Sequence, residues 1–418
     1  PDGNHLEESG GDGGMKWEKV KLGDIATCIQ PGPFGSQLHN SDYSKEGTPI
    51  IMPKDIVGGA IVHSGLLKVS EEHVKRLSRH QVYEGNLMVA RKGDVRKCAY
   101  ITANENGWMT GSDCLKVVLD ELKCYPKFIY WQVRSEHIGR WLEKVSIGAT
   151  MPSLNTGLLS GIEMVLPPIE IQKQIAGILS AYDDLIENNQ KQIKLLEEAA
   201  RRLYKEWFVD LRFPGHENTK IVDGVPEGWS VYPFSSKVDI MSGGTPKTSI
   251  PDYYNGKIPF YTPKDSDGAF FAYKTQMNIT EGGLKNCNSK LYPPKTVIIT
   301  ARGTVGKTTI LAVPMAMNQS CYALKMKEND APYYLFFALN NEIKALQTMA
   351  NGGVFNTIIG KTFDSINIQI PKDPLIYEFE ETVRPFMEQI KNKLQANSKL
   401  VEARDRLLPK LMNGEVEA

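Results

Sequence analysis

The chain has 418 residues, 41% of them hydrophobic and 23% charged, and its 49 basic residues balance 49 acidic ones. A chain of this length is expected to divide into two or more domains. The balanced charge excludes a protein that attracts nucleic acid through a global positive field, so any such contact must come from local basic clusters or partner subunits.

The first fourteen residues, PDGNHLEESGGDGG, are polar and Gly-rich and precede a methionine. We expect residues 1–14 to be an expression-tag remnant, with Met15 as the natural start. They hold four acidic residues and no basic one, which leaves 49 basic against 45 acidic residues in the remainder. The six cysteines form no Cys-x-x-Cys pair, and no signal peptide or membrane-length apolar run occurs. We therefore expect a soluble, cytoplasmic protein without a zinc site, a disulfide framework or a membrane partner.

Residues 15–167 alternate short β-rich runs with turns, which predicts a first domain of mixed α/β structure. Residues 168–213 contain a long helix, from about Pro168 to Phe208, whose apolar residues alternate by four and three. This spacing predicts a heptad seam, interrupted near its middle by Asn189 and Gln192. The seam residues that we expect at a helix–helix interface are Ile171, Ile175, Tyr182, Leu196 and Leu203.

Residues 214–372 predict a second mixed α/β domain, and residues 373–418 a second long helix, from about Asp373 to Asn413. At about 1.5 Å per residue such a helix is a rod of nearly 60 Å. Two related apolar stripes in one chain most simply bury each other as an antiparallel pair. The interface residues of the second helix, each 204 residues after its counterpart in the first, are Leu375, Phe379, Phe386, Leu400 and Leu407.

The two halves repeat one another. Trp229 follows Trp17 by 212 residues, and Pro-Lys-Asp occurs at 53–55 and again at 263–265. We therefore predict an α+β fold with an internal pseudo-twofold repeat, in which two mixed α/β domains are separated by two long antiparallel coiled-coil helices. Such an object suits the pseudo-twofold symmetry of duplex DNA. The remaining matched segments are MVARKGDVRK with ITARGTVGK, pairing Arg91 with Arg302 and Lys97 with Lys307, and, at a constant offset of 204, GATMPSL with GGVFNTI, GIEMVLP with SINIQIP and EAARRL with EARDRL.

Residues 301–308, ARGTVGKT, resemble part of a phosphate-binding loop after a β-rich run. That loop requires Gly-x-x-x-x-Gly-Lys-Ser/Thr followed by a helix, but Ala301 stands at the first glycine position and the residues that follow favour strand. The matching segment of the first half has Arg96 in place of Gly306. What the two copies share is a turn that carries two cations, so we interpret the likeness to a phosphate-binding loop as accidental.

Three stretches resemble the specificity subunit of type I restriction–modification enzymes, and the resemblance extends over essentially all of 15–418. They are GPFGSQLHNSDY (32–43), GTPIIMPKDI (47–56) and the block from PSLNTGLLSG to DLRFPG (152–215). The resemblance implies that 15–167 and 214–372 are target-recognition domains and that 168–213 and 373–418 are the family's conserved helices.

The resemblance further implies a non-catalytic subunit that reads a bipartite double-stranded DNA target, one half-site per recognition domain, with a gap set by the helices. Its implied partners are two modification subunits, which are adenine methyltransferases, and restriction subunits, which are motor nucleases. S-adenosylmethionine would bind the modification subunits, ATP and magnesium the restriction subunits, and no cofactor this chain. In agreement, neither Pro-Pro pair of the chain has the flanking residues of an adenine methyltransferase motif.

Base edges are read by Arg, Lys, Asn and Gln, whereas phosphates accept contacts from Lys, Ser and backbone N–H groups. The cations matched between the repeats are expected to position both domains on the DNA, and Lys92 and Arg96, without a matched cation, are candidates for base readout. The turn at 35–37 and its approximate counterpart at 243–247 are further candidates. The complete set of candidate DNA-binding residues is Ser36, Gln37, Lys54, Arg91, Lys92, Arg96, Lys97, Lys247, Lys264, Arg302 and Lys307.

Two other function classes remain open on the sequence. A coiled-coil scaffold that does not bind DNA would show no sequence-dependent binding and no partner-dependent methylation. A nucleotide hydrolase would turn over substrate as a purified chain and lose this activity on Lys307→Ala.

Overall fold

The computed structural model describes residues 17–148, 152–349, 357–371 and 374–417, apart from the side chains of 344–349. The expected tag, residues 1–14, lies outside the described residues, as do parts of the matched segments GATMPSL and GGVFNTI and the expected helix start at Asp373. Two compact units are formed, one from the residues up to Ile186 together with those from Leu400, and one from Glu187 to Lys399. Each long helix is thus divided between the two units.

The first unit contains a mixed α/β domain. An antiparallel sheet has the order β2-β11-β8-β9, and a second sheet has the order β10-β4-β7-β3, in which β10 and β4 are parallel. The strands are β1 (Glu18–Lys21), β2 (Ala26–Pro31), β3 (Tyr43–Ser44), β4 (Thr48–Ile51), β5 (Ile56–Val57), β6 (Ala60–Ile61), β7 (Leu67–Val69), β8 (Leu87–Ala90), β9 (Cys98–Tyr100), β10 (Met109–Thr110), β11 (Cys114–Leu119) and β12 (Glu163–Leu166). The helices are α1 (Glu71–Arg76), α2 (Pro126–Val133), α3 (Glu136–Val145), α4 (Thr156–Ser160) and the start of α5 (Ile169–Tyr204).

The second unit is built on the same plan. Its larger sheet has the order β16-β23-β20-β21-β18, and its smaller sheet the order β19-β17-β22. The strands are β13 (Ile221–Val222), β14 (Val225–Pro226), β15 (Ser230–Pro233), β16 (Val238–Ser242), β17 (Tyr254–Tyr261), β18 (Phe271–Ala272), β19 (Asn278–Ile279), β20 (Val297–Thr300), β21 (Thr308–Leu311), β22 (Ala316–Met317), β23 (Cys321–Met326) and β24 (Asn367–Ile370). The helices are α6 (Phe234–Lys237), α7 (Glu281–Lys285), α8 (Pro332–Met349) and most of α9 (Leu375–Met412).

The strand registers show that the two domains are structural repeats. In the first unit β1 pairs antiparallel with β12, with Glu18 opposite Leu166. In the second unit β15 pairs in the same way with β24, with Ser230 opposite Ile370. Ser230 follows Glu18 by 212 residues and Ile370 follows Leu166 by 204, the offsets found in the sequence. The predicted α+β fold with an internal repeat is thereby confirmed.

The two long helices form where the heptad spacing predicts them. Helix α5 starts directly after Pro167-Pro168, and its exposed face carries i,i+4 ion pairs such as Glu187–Lys191 (2.5 Å). It ends in a π-helical turn, Lys205–Val209. Helix α9 ends in a Schellman motif, in which Gly414 adopts φ +69° and the Glu415 N–H donates to the Lys410 carbonyl at 2.9 Å.

Within the second unit the two helices run antiparallel. Near the start of this part of α5, the Asn189 side chain donates to the Asn397 side chain of α9 at 2.8 Å. Near its end, the rings of Tyr204 and Trp207 each lie 5.9 Å from that of Phe379, at the start of α9. Since residue numbers rise along one helix as they fall along the other, the antiparallel arrangement follows.

Each unit has its own main hydrophobic core, to which both helices contribute. In the first unit Ile175 and Leu179 of α5 join Leu408 and Leu411 of α9 beneath the α2 helix. In the second unit the core is aromatic and centres on Tyr204 and Phe208, with Phe379 of α9 and rings from α8. Within the described residues, no helix combines the length and apolarity needed to cross a bilayer.

Candidate nucleic-acid interface

In the first unit, four loops with candidate contact residues interlock through their backbones. The ammonium group of Lys97, on the β8–β9 turn, donates to the carbonyl of Pro53 at 3.0 Å. The backbone N–H of Arg91 donates to the carbonyl of Asp113 at 2.7 Å. A Cβ at Gly32 would lie 2.0 Å from the carbonyl oxygen of Gly111, so only glycine allows the turn after β2 to approach this closely. The fold therefore gathers the predicted contact segments at one place.

In the second unit, the equivalent four loops interlock through equivalent contacts. Thr304, on the β20–β21 turn, donates its hydroxyl to the carbonyl of Pro263 at 3.2 Å. The N–H of Ala301 donates to the carbonyl of Ser320 at 2.7 Å. A Cβ at Gly243 would lie 2.2 Å from the Asn318 carbonyl oxygen. The same loop cluster is thus built twice, once in each unit.

The strand registers correct the pairing of cations between the repeats. Val89 pairs with Cys98 in the first unit and Ile299 with Thr308 in the second, so both strands carry an offset of 210 residues. The turns between them therefore align without a gap, and Gly93 and Gly303 both adopt φ +80°. Lys97 matches Lys307, as predicted. The cation that matches Arg302 is Lys92, however, because Arg91 occupies the place of Ala301.

Two lysines of the first cluster lie against carboxylates. The ammonium group of Lys54 is 2.6 Å from the carboxylate of Asp55, which is buried and also accepts the N–H of Met52 at 2.9 Å. Lys92, with 44% of its side chain exposed, lies 3.2 Å from Asp113. Both lysines reach solvent, but each shares its position with an anion.

Arg96 is bound to the α3 helix. It donates to Glu136 and lies 3.6 Å from Glu143, one on each side of Gly139. A Cβ at Gly139 would stand 2.7 Å from the Arg96 Nε, so the glycine makes room for the side chain. The hydrogen bond from Glu136 raises the pKa of the guanidinium above its ordinary value. Arg96 is therefore held by its own domain rather than displayed.

The turn after β2 displays an aromatic residue that the sequence did not single out. Phe34 has 54% of its surface exposed, and the guanidinium of Arg91 lies 5.5 Å from its ring centroid. Ser36 is exposed on the following 3-10 turn, whereas Gln37 is half-buried, and its backbone carbonyl accepts from Arg76 at 2.8 Å. No periodicity or motif marks Phe34; a lone Phe between two glycines was the only signal.

The candidate cations of the second cluster are all exposed: Lys247, Lys264, Arg302 and Lys307. None of their side chains contacts a carboxylate among the residues that the structure describes. Asp265, beside Lys264, accepts instead the N–H groups of Thr262 (2.8 Å) and Gln276 (2.7 Å). In the place of Phe34 stands Thr245, hydrogen-bonded to the exposed Gln319.

The loop at 301–308 is not built as a nucleotide-binding loop. Lys307 is followed by strand β21, whereas a phosphate-binding loop opens a helix whose first N–H groups face the phosphate. The hydroxyl of Thr300 and the N–H of Lys307 bond to each other at 3.0 Å, which closes the loop on itself.

The predicted helix-pair residues lie on the packed side of α5 and α9, with unequal burial. Ile175, Leu375 and Phe379 are buried, and the others are half-buried: Ile171, Tyr182, Leu196, Leu203, Phe386, Leu400 and Leu407. The sequence missed Arg404, which is only 8% exposed and donates to Asp183 of α5 within the first unit. It also missed Tyr204, whose burial follows from the aromatic core of the second unit.

Comparisons with known proteins agree with this architecture. The family model described as "Type I restriction modification DNA specificity domain" matches twice, at residues 15–198 and 226–396. The MjaIX specificity subunit of a type I restriction enzyme from Methanocaldococcus jannaschii is 26% identical over 410 residues, covering 96% of this chain and 93% of the relative. The HindI specificity subunit from Haemophilus influenzae is 22% identical over 466 residues, covering 96% and 99%. A crystal structure of the S subunit of a type I restriction–modification system from M. genitalium superposes with a TM-score of 0.58 at 17% identity, over 98% of each chain, and shows the same fold.

Proposed function

The chain belongs to the family of type I restriction–modification DNA specificity proteins, and we propose that it is the subunit that reads a bipartite DNA target. Each recognition domain contacts one half-site through its loop cluster, and the long helices set the gap between the half-sites. The observation that carries this proposal is the double construction of one loop cluster, at positions matched by strand register.

The chemistry of the two clusters supports contact with DNA. Both present Lys or Arg on a rigid β-turn, which suits guanine edges and phosphates. Their other exposed groups differ: the first displays Phe34 with Arg91, the second Thr245 with Gln319. Common cations with different neighbours are what two domains need if they share a way of docking but read different sequences.

We further propose that the chain has no catalytic activity and binds no cofactor. It would recruit two modification subunits, which use S-adenosylmethionine to methylate adenine, and restriction subunits, which use ATP and magnesium. The long helices are the natural docking surface for these partners, because they belong to both units and display large apolar side chains such as Leu195, 65% exposed. Such an assembly would act in the cytoplasm.

Selection from random duplexes tests the proposal. The full chain, co-purified with a methyltransferase subunit encoded beside it, would be incubated with a duplex library, and bound molecules sequenced. We expect two short conserved segments separated by an unspecified gap of constant length. Absence of any sequence preference, together with failure to retain a methyltransferase, would favour a scaffold that does not bind DNA.

A further inference from the structure

We propose that the second recognition domain supplies most of the salt-dependent hold on the DNA backbone, and that the first supplies little. This inference rests on the proposed function but goes beyond it, because nothing in a bipartite reader requires the two domains to bind phosphate unequally. It follows from how each domain treats its own cations.

In the first domain the turn between β8 and β9 is electrically balanced. Its four cations are Arg91, Lys92, Arg96 and Lys97. Around them stand four carboxylates: Asp94 on the turn itself, Asp113 beside Lys92 at 3.2 Å, and Glu136 and Glu143 on either side of Arg96. A phosphate approaching this turn meets as many negative as positive charges.

In the second domain the same positions have lost their carboxylates. With the offsets fixed by strand pairing, Thr304 stands in place of Asp94 and Ser320 in place of Asp113. Gly306 replaces Arg96, the cation that the α3 glutamates bind in the first domain. Arg302 and Lys307 remain on the turn, both exposed and without a carboxylate contact among the described residues.

The neighbouring loops increase the difference. Lys247 occupies the place of Ser36 after the strand that matches β2, which adds a cation found only in the second cluster. Lys264 and Lys54 are equivalent, but only Lys54 lies against its neighbouring aspartate, at 2.6 Å. The aspartate beside Lys264 is occupied by backbone N–H groups instead.

Net local charge, rather than the number of cations, decides the hold on phosphate. Exposed ion pairs are weak and open readily, but an opened pair leaves its carboxylate within a few ångströms, where it repels the phosphate. Each phosphate neutralised on duplex DNA contributes about 0.9 to the slope of log K against log salt. Unpaired cations in the second domain therefore contribute nearly fully, and balanced cations in the first contribute little.

The first experiment compares two triple variants of the full chain, alone and with its methyltransferase subunit. One is Lys264→Ala/Arg302→Ala/Lys307→Ala, and the matched control is Lys54→Ala/Lys92→Ala/Arg96→Ala. Binding of a labelled duplex of arbitrary sequence is measured by anisotropy between about 50 and 200 mM KCl. We expect the first variant to lower the slope by about 2 to 3, and the control to lower it by less than about 1. Equal losses, a larger loss in the control, or no loss in either would overturn the inference.

The second experiment frees the first domain's cations without removing any. Asp113→Asn and Glu143→Gln together should steepen the salt slope and tighten binding of the same duplex several-fold, whereas unchanged binding would contradict the charge-balance argument. Thermal melting of each variant establishes that it is folded. A wild-type protein that binds no duplex at any salt concentration would refute the proposed function itself, a result distinguishable from equal contributions by two working domains.

Discussion

The guanidinium of Arg91 lies over the ring of Phe34, 5.5 Å from its centroid, at the surface of the first recognition domain. A guanidinium stacked on an aromatic ring keeps its N–H edge free, and that edge can donate to O6 and N7 of guanine. An exposed phenyl ring beside it suits the methyl group of a thymine. The pair is thus pre-arranged to read adjacent bases.

Replacing Phe34 by Ala should therefore alter one half-site only. We expect the variant to lose discrimination at one or two adjacent base pairs of that half-site, by about 1–3 kcal/mol each, because the ring contact and the orientation of Arg91 are both lost. The measurement is competition binding with duplexes substituted at every position of the selected target. Tyr83→Ala, which removes another half-exposed ring of the same unit, is the control and should leave the preference unchanged. Loss of discrimination in both half-sites would refute this reading.

A second prediction concerns the end of helix α9. Arg404 donates to Asp183, and its guanidinium lies 5.6 Å from the ring centroid of Trp131. Because its side chain is only 10% exposed, Arg404→Ala leaves a cavity and an aspartate with one fewer partner. We expect the free energy of unfolding to fall by about 1–3 kcal/mol in urea denaturation. Arg406→Ala, two residues along and 79% exposed, should change it by less than about 0.5 kcal/mol. Equal effects would show that Arg404 does not help to hold the helix end.

A third prediction concerns a buried carboxyl group. Glu380 of α9 accepts the N–H of Tyr334 at 2.8 Å, at the start of helix α8, and burial raises its pKa to about 7. The folded protein then holds this proton more tightly than the unfolded chain does. The contribution of the group to stability is complete below about pH 4.5 and is lost as the pH rises to about 7.

The variant Glu380→Gln should remove this pH dependence, since the amide oxygen still accepts the N–H but carries no proton to lose. Relative to the wild type, its stability should therefore rise by up to about 3 kcal/mol between pH 5 and pH 8. Denaturation at several pH values measures the difference. Glu378→Gln, at an exposed position of the same helix, is the control. A difference that stays constant or narrows with pH would contradict the assignment.

A fourth prediction treats the helices as the spacer between half-sites. Inserting one heptad beside Asn189 and one beside Asn397 preserves the apolar seam and the pairing of the two asparagines' surroundings. Each helix lengthens by about 10 Å, which corresponds to about three base steps at most. The selected target should keep both half-sites and gain up to three base pairs in its gap. An unchanged gap would show that the helices do not set it.

Much of the fold was readable from the sequence because the repeat and the heptads are local patterns. The helix expected at about 168–208 runs from Ile169 to Tyr204 and continues as a π-helical turn to Val209. The helix expected at about 373–413 is observed over Leu375–Met412. The buried stripe was less predictable, because each helix packs on a domain as well as on its partner. Ala200 and Tyr204 are accordingly more buried than the seam residues Leu196 and Leu203.

The electrostatics of the loop clusters could not be predicted in the same way. Whether a surface cation is free depends on carboxylates that are distant in sequence, as with Arg96 and Glu136, forty residues apart. The pairing of Arg91 with Arg302 failed for a related reason. Identical letters favoured a gapped alignment, whereas the hydrogen-bonded ladders of the two turns require an ungapped one.

Domain exchange tests the central claim, that each recognition domain reads its own half of a bipartite target, most directly. Residues 15–150 of this chain are replaced by the corresponding region of a related specificity subunit with a different target, and the hybrid is bound to its methyltransferase subunit. Methylated sites are then mapped on a random-spacer duplex library. The account predicts that one half-site changes to that of the donor while the other half-site and the gap stay the same. A change in both half-sites, or in neither, would contradict it.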